Sequence, residues 1–129
     1  MPITALVAAL LLPLYILLTF RVVNLRQSAR VAIGDAGDKS LIRRMRVHAN
    51  FAENVPYALI LMGLAESLNA SSRLLYVSGA CLIIGRLAHA YGVSQAKETF
   101  AFRIAGVVLT IAAMVIAAFA CAAGALTRY

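Results

Sequence analysis

The run ITALVAALLLPLYILLTF, residues 3–20, holds no charged side chain. As a helix rising about 1.5 Å per residue it reaches about 27 Å, close to a hydrocarbon core roughly 30 Å thick. A cleaved signal peptide would carry basic residues ahead of such a run. Here none precedes it, and Arg21, Arg26 and Arg30 follow. The reading is a retained first transmembrane helix. Pro13 kinks it, a defect that neighbouring helices accommodate inside a membrane.

The rest of the chain extends this pattern. Apolar residues make up 63% of the 129 residues and charged ones 13%, about half the charge of a soluble domain, so the chain cannot cover itself with polar surface. The segment GDAGDKS at 34–40 reads as a turn in which Asp38 or Ser40 caps the next helix. Residues 69–72 form a second short connection, and a polar stretch after Gly92, through Lys97 and Glu98, leads to an uncharged run at 104–126. The expectation is one all-α domain over residues 1–129, an integral membrane four-helix bundle with helices near 3–30, 41–68, 73–91 and 100–126. Short connections make it run up-down-up-down. Cys81 and Cys121 sit in apolar stretches without metal-ligand spacing and read as packing residues, and no metal or nucleotide motif is present. Tyr15, Tyr76, Tyr91 and Tyr129 are the interface anchors of a chain without tryptophan.

A net charge of +7 would suggest a nucleic-acid partner in a soluble protein. The basic residues lie between apolar runs instead, so the partner is the bilayer and nucleic acid is excluded. Arg21, Arg26, Arg30, Lys39, Arg43, Arg44 and Arg46 cluster between helices one and two, and Lys97 and Arg103 between three and four. Arg73 and Arg128 occupy the other side. The positive-inside rule then places both basic loops in the cytoplasm and both termini outside.

Helices one and four are nearly free of ionisable groups in their apolar cores. Helix two holds His48, Asn50 and Glu53, and helix three holds Arg86 and His89. Ionisable groups in spanning helices are costly and tend to face a protein interior or a wet cavity. At about 100° per residue Arg43, Arg46, Asn50, Glu53 and Tyr57 share one face of helix two, with His48 nearly opposite. Antiparallel neighbours bring the start of helix two, the end of helix three and the start of helix four to one membrane surface. Arg46, Asn50, Glu53, Arg86, His89 and Arg103 are expected to converge there, with Arg21, Arg26 and Arg30 arriving from helix one. Arginine forks match carboxylates, Glu53 suits an ammonium group, Asn50 an amide contact, and a neighbouring arginine favours a thiolate. Glutathione carries each of these groups.

The run RVHANFAENVP at 46–56 resembles the signature of the MAPEG family, membrane-associated proteins in eicosanoid and glutathione metabolism. The likeness takes in Arg26, Arg30, Gly34 and Asp35, the stretch GRLAHAYG at 85–92, and Arg103 at the opening of helix four. It implies a homotrimer with glutathione sites between protomers near the cytoplasmic face. By position, Arg26, Arg30, Arg46, His48, Asn50, Glu53, Arg86, His89 and Tyr91 are its expected glutathione-binding residues, and Arg103 the residue that stabilises the thiolate. The likeness is to the bacterial branch, which implies an inner-membrane location. One departure stands out: a tyrosine one turn after the His89 position is Val93 here, and Tyr91 lies on another face.

The implied function is a microsomal-type glutathione transferase or peroxidase in which the thiolate attacks a lipophilic electrophile. Two alternatives belong to other classes: a non-catalytic member of the family, and a small proton-coupled exporter using Glu53. His48 and His89 as haem ligands are a further, weaker alternative, since arginines compete for the same space. For single residues the bland readings are lipid-headgroup contacts for Arg43 and Arg44, and an interhelical hydrogen bond for Asn50.

Overall fold

The computed structural model describes residues 1–95 and 99–127. It contains four helices: α1 (Pro2–Ala29), α2 (Lys39–Ser67), α3 (Ser72–Ser94) and α4 (Phe100–Leu126), with no strand among the described residues. α1, α3 and α4 are each long and apolar enough to cross a membrane. α2 has the length, at 29 residues, but carries Lys39, Arg43, Arg44, Arg46, Glu53 and Glu66 and is not apolar enough to qualify by composition.

The packing accounts for that difference. α2 touches all three other helices and α3 does the same, whereas α1 and α4 make no contact with each other among the described residues. α2 and α3 are thus the inner pair, flanked by α1 and α4, whose apolar stretches 3–20 and 104–126 carry no charge. The interior is built from Val7, Leu11 and Leu18 of α1, Val47, Phe51, Val55 and Met62 of α2, Leu75 and Leu82 of α3, and the small residues Ala113, Ala117 and Ala120 of α4.

Consecutive helices run antiparallel, and polar contacts mark both ends. At one end Thr19 of α1 meets His48 of α2, and Arg43 of α2 meets Gln95 after α3. At the other, Glu66 near the end of α2 meets Ile3 and Thr4 at the start of α1.

Of the two capping candidates, Asp38 is the cap. Its carboxylate accepts from the N–H groups of Ser40 at 2.7 Å and Leu41 at 3.2 Å, so α2 starts at Lys39, two residues before the expected start. α3 passes the expected end at Tyr91 and continues to Ser94. Gly92 does not stop the helix, because its missing side chain serves a close approach instead: a Cβ there would lie 2.7 Å from the backbone nitrogen of Arg103. Gly106 does the same in the opposite sense, since its Cβ would lie 2.5 Å from the nitrogen of His89. Lipid offers no hydrophobic drive for helices to associate, so backbone contact through small residues carries much of the α3–α4 packing. Ser78 adds an interhelical hydrogen bond, its hydroxyl donating to the carbonyl of Ala113 at 2.9 Å.

Candidate functional site

A pocket of about 320 Å³ opens at the end of the bundle where α2 starts, α3 ends and α4 starts. Lys39, Ile42, Arg43, Arg46 and Asn50 line it from α2, His89 and Val93 from α3, and Arg103 from α4. The spacing 39, 43, 46, 50 follows one helical face, so four successive turns of α2 each supply one polar group. Gly92 and Gly106 hold α4 against α3 at this level and bring Arg103 beside His89.

Arg86 stands behind the pocket. It is 1% exposed, and one of its terminal nitrogens donates to Asn50 Oδ1 at 2.8 Å. The other lies 3.5 Å from His89 Nδ1, and the guanidinium sits over the Phe51 ring, 5.4 Å from its centroid. Its Nε has no hydrogen-bond partner, and among the described residues no carboxylate pairs with it. A buried guanidinium held by an amide, an imidazole and a ring face has its charge uncompensated among the described residues. It stands behind a wall that also carries the basic side chains of Lys39, Arg43, Arg46 and Arg103.

Of the residues expected at the site, the fold brings Arg46, Asn50, His89 and Arg103 together at the pocket wall, with Arg86 directly behind. The others lie elsewhere in the protomer. Glu53 is exposed on the outer face of α2, does not line the pocket, and its side chain has no partner among the described residues. Arg26 turns to the α1–α2 connection, donating to the Ala32 carbonyl at 3.4 Å and to the Met45 sulfur at 3.3 Å. It shares a separate shallow depression with Arg30, whose φ of 53° caps α1. Arg21 donates to Ser94 Oγ at 2.7 Å, on the side of α3 that faces α1. Arg21, Arg26 and Arg30 therefore do not converge on the pocket within this chain, because α1 makes no contact with α4 among the described residues.

His48 also faces α1. Its Nε2 lies 3.1 Å from Thr19 Oγ1, a hydroxyl that is also 2.9 Å from the Tyr15 carbonyl. Its ring packs against Tyr15 at 5.4 Å. His48 and His89 thus turn to opposite sides of α2 and do not face one cavity. Tyr91 is 55% exposed and lies edge-on to Phe102, away from the pocket. Val93, at the place of the family's tyrosine, does line the pocket.

Lys39 and Arg43 are pocket residues that sequence reasoning missed. Arg43 shares its helical face with Arg46 and Asn50, a signal outweighed there by its value as a topology marker. Lys97 and Glu98, part of the polar stretch expected before helix four, lie outside the described residues, as do Arg128 and Tyr129.

A bundle of four helices with an inner polar pair and a pocket lined by basic side chains at one end defines an integral membrane protein. The profile of the MAPEG family matches residues 4–123, and the chain belongs to that family. The inner membrane protein YecN of Escherichia coli strain K12 is 35% identical to it over 114 residues, which cover 88% of this chain and 86% of that protein. YecN of Escherichia coli O6:H1 shows the same identity and coverage.

Proposed function

We propose that this protein binds glutathione in the pocket at the α2–α3–α4 end and uses it as a transferase or peroxidase on lipophilic electrophiles. The observation that carries the reading is the joint presence of Arg46, Asn50, His89 and Arg103 on one wall, with Arg86 buried behind them. Arginine forks take the two carboxylates, and Arg103 beside the thiol favours the thiolate. The apolar partner arrives through the bilayer that surrounds α1 and α4.

The protein works as a homotrimer in this reading. Ile42, Arg46, Glu53, Tyr57, Ile60 and Leu64 form an exposed stripe along α2. A stripe with two charges is poorly suited to lipid and well suited to another subunit. At such a seam Glu53 meets the ammonium group of a glutathione held between protomers, and Arg26, Arg30 and His48 of a neighbour approach the same ligand. The location is the bacterial inner membrane, as the name of YecN says of that relative, with the pocket on the cytoplasmic side and both termini outside.

Calorimetry with glutathione on detergent-purified protein tests the ligand, and ultraviolet thiolate absorbance tests its activation. Saturable binding with thiolate formation supports a catalyst. Binding without thiolate supports the non-catalytic reading, which the aliphatic Val93 on the pocket wall favours. No binding at millimolar glutathione overturns both.

A further inference from the structure

We propose that Arg86 is a positioning residue that dictates which atoms of Asn50 and His89 face the pocket, so that both neutral side chains present N–H donors. A guanidinium has only donors. Where it meets Asn50 it finds Oδ1, at 2.8 Å, and where it meets His89 it finds Nδ1, at 3.5 Å. Each neighbour therefore spends its acceptor on Arg86. What remains on Asn50 is its NH2 group. What remains on His89 is Nε2, and the hydrogen bond at Nδ1 requires a neutral ring with its lone pair there, so the proton sits on Nε2.

Both side chains line the pocket. Arg86 is buried over Phe51, and α4 lies against the backbone of His89 at Gly106, fixing the start of that side chain. The groups around the ring are Arg86 on its own helix, Asn50, Arg43 and Arg46 on α2, and Arg103 on α4. Those on the pocket wall, Asn50, Arg43, Arg46 and Arg103, all carry N–H groups.

Resting on the glutathione reading, this gives His89 a definite role. Its Nε2–H donates to the bound thiolate, a contact that the aliphatic Val93 on the same wall cannot make. It does not accept the thiol proton: the S–H bond breaks heterolytically, sulfur keeps the electron pair, and the proton leaves to bulk water through the open mouth of the pocket.

The chain has two histidines, so His48→Gln leaves a single imidazole for nitrogen NMR of the isotope-labelled protein in bicelles at neutral pH. The expected signature is a protonated Nε2 and a bare Nδ1, without any ligand. A ring protonated on Nδ1, alone or together with Nε2, overturns the proposal whatever glutathione does. Where glutathione binds, His89→Leu is expected to lower the thiolate fraction roughly tenfold while Kd moves less than about threefold. His89→Gln, whose amide oxygen can meet Arg86 while its NH2 faces the pocket, is expected to keep the thiolate within about threefold of the parent. Equal thiolate in the leucine and glutamine variants removes the donor role. Absence of glutathione binding in the parent protein removes the glutathione reading and leaves the tautomer result standing.

Discussion

Glu66 closes the first turn of α1 from the far end of α2. Its carboxylate accepts the Ile3 N–H at 2.8 Å, the Thr4 N–H at 2.9 Å and the Thr4 hydroxyl at 2.7 Å. Met1 at the N-cap position makes no side-chain cap, so Glu66 supplies from another helix what a capping residue supplies locally.

Removing that clasp is expected to loosen α1. Glu66→Ala should cost about 1–2 kcal/mol, the range of a lost cap, and Glu66→Gln less because the amide keeps one acceptor. Reversible unfolding in mixed micelles measures it. A change below a few tenths of a kcal/mol for Glu66→Ala would mean that water caps the helix equally well.

Asn50 and Arg86 should be energetically coupled. Asn50→Ala strips a buried guanidinium of its best acceptor and is expected to cost about 2–3 kcal/mol. Arg86→Leu in the Asn50→Ala background should then cost less than in the parent, a coupling of about 1 kcal/mol or more in a double-mutant cycle. Additive effects would show that the two side chains do not depend on each other.

The α3–α4 contact tolerates no side chain at Gly106. Gly106→Ala forces a methyl against the His89 backbone and is expected to cost about 3 kcal/mol or more. Gly34→Ala is the control. Gly34 has open space around it and a φ of +78°, so only backbone strain of about 1 kcal/mol is expected there. Thermal unfolding of the two variants side by side separates crowding from strain.

Within the proposed reaction, Arg103 and Glu53 divide the work. Arg103→Ala should lower kcat about tenfold or more with a smaller change in glutathione affinity, because its charge acts on the thiolate. Glu53→Ala should weaken glutathione binding by about tenfold at comparable turnover. Steady-state kinetics with calorimetry on each variant distinguish the two, and equal small effects from both would remove these assignments.

The sequence carried the four helices and their polar end clearly. Uncharged runs set the spans, and the clustering of His48, Asn50, Arg86 and His89 marked the inner pair. A helical wheel groups Arg43, Arg46, Asn50 and Glu53 without telling which of them α3 and α4 cover. The fold turns Arg43 to the pocket and leaves Glu53 outside, a distinction made by neighbouring helices and absent from α2 alone. Glu66 was illegible for a related reason: its partners lie 62 and 63 positions away, and only the antiparallel pairing of α1 with α2 brings them together. Arg86 stood out as an intramembrane charge, but its partners, an amide, an imidazole and a ring face, leave no charge pattern to read.

The placement of α2 between its neighbours bears on how the chain enters a bilayer during synthesis. α2 is the helix least able to partition into lipid by itself, since each central charge is disfavoured by about 2.5–3.5 kcal/mol. Glu66 on Thr4 at one end, and His48 on Thr19 with Arg44 on the Arg21 carbonyl at the other, tie it to α1. The first two helices are therefore suited to leave the translocation machinery as one hairpin, with α1 as solvent for the segment that follows it.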